Sequence, residues 1–223
     1  LIFAVIMAFR RPVERRAEAD ERDWVGARYD ASTGLLNRFG IEEAIANLVP
    51  RNGEMPVAIA RIEFEGIKDV VGSYGQKTAE QLLDRIADLI DAGVDGQAQI
   101  ARLGPDELAL VRAGSDCGAL IRRFSRTVLD LVAEAIPLDD LRLKLRASIG
   151  IVETTVTRKS VEEAMVMAAA ALQRALETGG NHAVEYEPAL EESRQQRVAL
   201  QADIRRGLDA GEFDLVYQPI FDF

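Results

Sequence analysis

Cysteine and histidine are nearly missing from this chain of 223 residues, which has one of each, Cys117 and His182. A single cysteine excludes an intrachain disulfide framework and suits a reducing compartment. With one histidine there is no His/Cys zinc site, and a Ser-His-Asp triad is excluded unless it uses His182. Metal chemistry then has to rest on carboxylates, the ligands of magnesium, manganese and calcium. Basic excess is missing too: 27 Lys and Arg face 37 Asp and Glu, a formal net charge of −10. That argues against a nucleic-acid partner gripped by a broad basic face, which needs clustered Lys and Arg. The opening "LIFAVIMAF" is too short for a bilayer span of ~20 residues. Followed by Arg10, Arg11, Arg15 and Arg16, it reads as the last turns of a transmembrane helix (residues 1–11) with a positive-inside flank. An apolar N-terminal helix or a signal-peptide remnant are the alternatives.

What is present is 48% hydrophobic and 29% charged, enough for one globular domain with flanking pieces. Residues 12–28 carry charges of both signs with Val13, Ala17, Trp24 and Ala27 between them, and read as a helical connector. From Tyr29 the pattern alternates. "GIEEAIANLV", "KTAEQLLDRIADLI", "CGALIRRFSRTVLDLVAEAI" and "SVEEAMVMAAAALQRALETGG" have helical spacing. "MPVAIARIEFE" reads as a strand with Ile62 and Phe64 on one face and Arg61, Glu63 and Glu65 on the other. "LRLKLRASIGIVET" reads as one long strand and "HAVEYE" as a short last one. In "ARLGPDELALV", two short apolar runs flank Gly104-Pro105-Asp106, the tip of a hairpin. The expected class is α/β (α+β): a mixed, largely antiparallel sheet flanked by helices, with a central β-hairpin. After Pro188 the character changes, to a polar amphipathic helix and then "FDLVYQPIFDF". Residues 189–223 read as the start of a second domain.

Four stretches in fixed order carry a family resemblance: "DASTGLLNRFG", "RIEFEGIKDVVGSYGQKTAEQLL", "RLGPDEL" and "ASIGI". Over residues 29–188 the chain resembles the GGDEF family of diguanylate cyclases. "GEFDLVYQPIFD", from Gly211, resembles the beginning of an EAL domain, a cyclic di-GMP phosphodiesterase. The resemblance implies a nucleotide-cyclase-like fold. It also implies a hairpin that works with the end of the first strand to hold magnesium, and two GTP-loaded domains that meet face to face, with metal and positioning as the chemistry.

The implied metal residues are Glu63, the Phe64 carbonyl, Asp106 and Glu107. The implied phosphate contacts are Gly66, Ile67 and Lys68. Alternatively, Glu63, Asp106 and Glu107 are solvated strand and turn residues, and Lys68 is a surface lysine. Several positions depart from the family pattern. Val71 stands where a guanine-binding Asn is expected, and a valine neither donates nor accepts a hydrogen bond. Glu80 replaces a second base contact, an Asp. Leu176, Gly180 and His182 replace basic residues. In the hairpin Gly104-Pro105-Asp106-Glu107-Leu108, Pro105 replaces a glycine, fixing φ and removing an N–H. Leu108 replaces Phe, a packing change. Asp95 and Ala98 leave no product-inhibition site.

The expectation is therefore a catalytically silent GGDEF domain. It acts as a regulatory or dimerising module between a membrane segment and an EAL domain, on the cytoplasmic side of the inner membrane. A GTP sensor without turnover, an unusual weak cyclase and a ligand-free interaction scaffold are the alternatives. Magnesium and GTP are the implied ligands, and a homodimer, the EAL domain and the membrane the implied partners.

Overall fold

The computed structural model describes residues 27–189, 200 and 203–213. The chain divides into two compact units, Leu1–Tyr186 and Glu187–Phe223. The connector up to residue 26, the N-terminal apolar stretch and residues 214–223 lie outside the described residues. Among those described, no helix is long and apolar enough to cross a membrane.

In the first unit the elements run α1 (Arg38–Leu48), β1 (Met55–Glu65), α2 (Ile67–Tyr74), α3 (Gln76–Val94), β2 (Gln99–Arg102) and β3 (Glu107–Ala113). They continue as α4 (Cys117–Ala133), β4 (Ile136–Leu138), β5 (Leu141–Leu143), β6 (Arg146–Val156), α5 (Val161–Glu177) and β7 (Ala183–Glu185). The main sheet has the order β2-β3-β1-β6-β7. Its pairings are antiparallel except β6–β7, which is parallel. This is the mixed, mostly antiparallel sheet expected, with helices on both faces.

The central strand β1 does not alternate between buried and exposed. Residues 57–62 are buried throughout. One face of β1, through Ala58, Ala60, Ile62 and Phe64, joins Leu82, Leu83, Ile86, Ile121 and Phe124 of α3 and α4 in one core. The other, through Val57 and Ile59, joins Ile41, Ile45, Ala164, Met165 and Ala168 of α1 and α5 in a second. A strand covered on both sides reads as a near-continuous apolar run. The charged residues Arg61, Glu63 and Glu65 then fall on the α1/α5 face.

Two details go beyond or against the sequence reading. The segment after β1, which the helical spacing does not single out, is the helix α2. Gly66 holds φ 105°, where side chains are strained, and turns the chain out of the strand. Ile67 and Val70 then bury one side of the helix. The expected long strand at "LRLKLRASIGIVET" is broken. Its first part is β5, which pairs back on β4 as a separate two-stranded ribbon, and the main-sheet strand starts at Arg146. The ribbon's turn places Asp139 at φ 50°. Asn and Asp tolerate that conformation best among residues with a Cβ.

In the second unit, residues 203–209 are helical. Leu200, Ile204 and Leu208 are exposed at four-residue spacing.

Candidate functional site

The site forms where β1 ends, α2 begins and the β2–β3 hairpin turns. The backbone joins these pieces: Phe64 N–H donates to the Asp106 carbonyl at 2.9 Å. Leu103 N–H donates to the Glu107 carbonyl at 2.9 Å, which closes the hairpin. Register sets Glu63 opposite Glu107 and Arg61 opposite Ala109. Partners across a ladder share a face, so Arg61, Glu63 and Glu107 stand together, Arg61 diagonal to Glu107 within a long side chain's reach.

Arg61 uses that reach. Its Nε donates to Glu107 Oε1 at 2.5 Å. Asp106 faces a second cation, with Oδ2 3.5 Å from Lys68 Nζ. The Lys68 side chain is 85% exposed, so water screens that pair strongly. Burial pushes the Glu63 carboxyl above its ordinary range, and the Asp106 and Glu107 carboxylates push it further.

Among the described residues, no three His, Cys, Asp or Glu side chains gather closely enough to hold a metal ion. The magnesium set read from the sequence therefore meets a test on donor chemistry. Glu107 is engaged by a guanidinium and Asp106 faces an ammonium, that of Lys68, whose charge also acts on Glu63. As placed, the two hairpin carboxylates are turned to cations of the chain itself rather than left open to a magnesium ion.

A cavity of about 260 Å³ lies beside the hairpin, lined by Ile67, Lys68, Val71, Glu80, Pro105 and Asp106 among others. The fold thus brings the expected phosphate residues Ile67 and Lys68 together with the base-site positions Val71 and Glu80. The N–H groups of Ile67 and Lys68 open α2 and have no acceptor within that helix. Glu80 accepts from the Gln76 side chain at 3.1 Å. Val71 contributes only apolar surface, and Pro105 closes the hairpin side. Phe64 points its side chain into the α3/α4 core.

The positions where the resemblance leads one to expect basic residues lie elsewhere. Leu176 is in α5. Gly180 holds φ +69°, and the Glu65 carboxylate occupies the space a Cβ would need. Glu65 accepts from Arg146 and from Ser148 Oγ, the latter at 2.8 Å. Despite burial, these bonds hold its carboxyl below the usual range. His182 is tied locally, Nδ1 to the Gly180 carbonyl at 2.8 Å and Nε2 to Thr178 Oγ1 at 3.0 Å. Asp95 caps the C-terminus of α3 in the left-handed region, a structural role.

Two contributors are not singled out by the sequence. Arg61 looks there like an outward-facing strand residue. The available signal is an arginine inside the apolar run "VAIARIEF", on the same face as Glu63. The other is Arg102, which ties the opening turn to the hairpin. Its Nη1 donates to Asp30 Oδ1 at 3.0 Å and its Nε to the Gly104 carbonyl at 3.0 Å. Asp30 also accepts from Ser32 Oγ, Thr33 N–H and Thr33 Oγ1, at 2.8, 2.9 and 2.9 Å. Burial works against its charge, and these bonds outweigh that and hold its carboxyl at about 2. A second, wider groove of about 780 Å³ is lined by residues including Asp30, Arg38, Phe39, Arg102 and Pro105.

Comparison with known proteins agrees with this architecture. The chain is 29% identical over 219 residues to an uncharacterized signaling protein of Caulobacter vibrioides, covering 96% of this chain and 27% of that one. It is 27% identical over 198 residues to the bifunctional diguanylate cyclase/cyclic di-GMP phosphodiesterase MucR of Pseudomonas aeruginosa, covering 86% and 28%. It thus spans about a quarter of the length of these relatives. The solved GGDEF domain of TpbB (YfiN) from Pseudomonas aeruginosa superimposes with a TM-score of 0.64 at 21% identity, over 75% of this chain and 99% of that one, which shows the fold. The family model described as "Diguanylate cyclase, GGDEF domain" matches residues 27–182. By that match this chain belongs to the GGDEF domain family of cyclic di-GMP signalling.

Proposed function

We propose that this GGDEF domain is a regulatory module that does not turn over GTP. The observation that carries the reading is the state of the hairpin. Glu107 is engaged by the buried Arg61, and Asp106 faces Lys68, rather than both standing open to a metal. Three further features support it. Val71 offers no hydrogen bond in the cavity, and polar base edges left unpaired there cost about 1–3 kcal/mol each. Pro105 removes a backbone donor from the hairpin tip. Gly180 and Leu176 carry no charge with which to meet phosphates. The relatives' names supply the setting. One is a bifunctional diguanylate cyclase/cyclic di-GMP phosphodiesterase, and another is a cyclic di-GMP phosphodiesterase, NbdA of Pseudomonas aeruginosa.

In the same proposal, the domain pairs with a second copy of itself. It follows a membrane segment whose last turns are residues 1–11 and lies on the cytoplasmic side of the inner membrane. It precedes an EAL domain that begins within residues 189–223, and it tunes that domain's phosphodiesterase output. The test is direct. Purified chain incubated with GTP and magnesium is expected to yield no cyclic di-GMP above background, and product above background sinks the reading.

One observation favours a second reading, a GTP sensor without turnover: the cavity still joins Lys68, the N-terminus of α2 and Glu80. Calorimetry with GTP and ATP is expected to show weak binding with little preference between the bases. Tight, guanine-selective binding contradicts the loss of base recognition ascribed to Val71.

A further inference from the structure

Arg61 is a cation in an unusual place, only 9% exposed in the middle of the central strand. The room for it comes from its neighbours. Across the ladders it faces Ala109 of β3 and Gly150 of β6, both small. Above them lie α1 and α5, whose Ile41, Ile45 and Ala168 share a core with Ile59 and Ala109. The side chain thus runs between sheet and helices toward the hairpin. It ends on Glu107, with Nε 2.5 Å from Oε1 and side-chain exposures of 11% and 16% for the two partners.

A guanidinium buried this far needs a bound anion, because desolvating a lone charge is very costly. A carboxylate buried beside Glu63 and Asp106 needs a cation for the same reason. The two requirements meet in one bond within the chain. A metal ion recruiting Glu107 has to compete with that guanidinium for the carboxylate's charge, and one that took Oε1 would leave the buried Arg61 only the charge of Glu42, which also acts on it. Arginine suits the position better than lysine, since its planar fork is more weakly hydrated and holds its geometry.

We infer that the buried Arg61 guanidinium is the resident counter-ion of this hairpin, supplying the positive charge a divalent cation would otherwise bring and withholding Glu107 from metal. The inference rests on the non-catalytic reading of the same hairpin and deepens it, and its test contains no nucleotide, so the two can fail separately.

The experiment is a titration of the whole chain with MnCl2, followed by calorimetry and by thermal unfolding, with NaCl of equal ionic strength as control. The wild-type chain is expected to show no saturable heat and no shift in Tm beyond the salt control. Arg61→Met is expected to melt lower in EDTA, to regain part of that loss with MnCl2, and to bind Mn2+ at least about tenfold tighter than wild type; binding to the folded state alone produces such a shift. Adding Glu107→Gln to Arg61→Met is expected to abolish the Mn2+ response. Saturable Mn2+ binding by the wild-type chain that Glu107→Gln removes overturns the inference, and so does a folded Arg61→Met that ignores Mn2+. Should Arg61→Met not fold, Arg61→Lys takes its place: it keeps a cation at the site and is expected to ignore MnCl2, and stabilisation of it by MnCl2 overturns the inference.

Discussion

At Gly180 two demands coincide, a left-handed backbone at φ +69° and a neighbouring carboxylate, that of Glu65, filling the space of a side chain. An arginine placed there has to strain its backbone and displace Glu65 from Ser148 and Arg146. We therefore predict that Gly180→Arg does not rebuild a phosphate contact. It is expected to lower stability by about 1–3 kcal/mol in urea unfolding, the usual range for overpacking and strained backbone, and to leave GTP affinity unchanged in calorimetry. Improved GTP binding would count against this picture of the site. Val71 behaves differently, since its cavity has space. Val71→Asn is expected to tighten guanine nucleotide binding by about tenfold, the worth of one hydrogen bond, without starting turnover, because Arg61 and Pro105 remain. Equal gains for ATP and GTP would remove Val71 from base selection.

Between elements, the Asp30–Arg102 contact joins the opening turn to the hairpin. The Asp30 carboxyl is held at about 2, below its ordinary 3.8. A carboxylate depressed on folding adds stability that is fully present above its unfolded value and is lost as the pH falls through the folded one. Asp30→Asn should thus be less stable than wild type by about 2 kcal/mol at neutral pH. That gap should close between about pH 4 and pH 2. Urea midpoints across that range check it, and a gap unchanged down to pH 2 would show that Asp30 titrates like an ordinary surface acid. A second contact between elements sits at Gly150 in β6, where a Cβ would run into the Leu172 N and the Ala168 carbonyl of α5. Both are backbone atoms and cannot swing away. Gly150→Ala is expected to cost about 1–3 kcal/mol or more, read as a lower urea midpoint, with most of the loss on the α1/α5 face. An unchanged midpoint would mean that α5 can lift off the sheet freely.

On the scale of the whole molecule, residues 27–186 hold the five-stranded sheet and both helical layers. A fragment of those residues is expected to fold alone and to unfold in one cooperative step by circular dichroism. A broad, non-cooperative melt would show that the core needs more of the chain. Much of this organisation is legible in the residues alone. The long helices announce themselves by period, and the hairpin by Gly104-Pro105 between two apolar runs. The class of the sheet follows from their order. The short helix α2 is not legible, because eight residues with two buried side chains give too little period to distinguish helix from loop. Nor is the break before β6, which depends on β5 preferring β4 as a partner.

By itself, the sequence determined the alternation of strands and helices, the charge balance and the residue types at Val71, Pro105, Leu176 and Gly180. Those are properties of residue type and local spacing, readable one position at a time. Only the tertiary structure decided that β1 is covered on both faces. That placed Arg61 inside rather than in solvent and set it within 2.5 Å of Glu107, 46 residues further along the chain. Strand register, and not composition, chooses which charges become neighbours across a sheet. Burial then decides how much each such pairing matters.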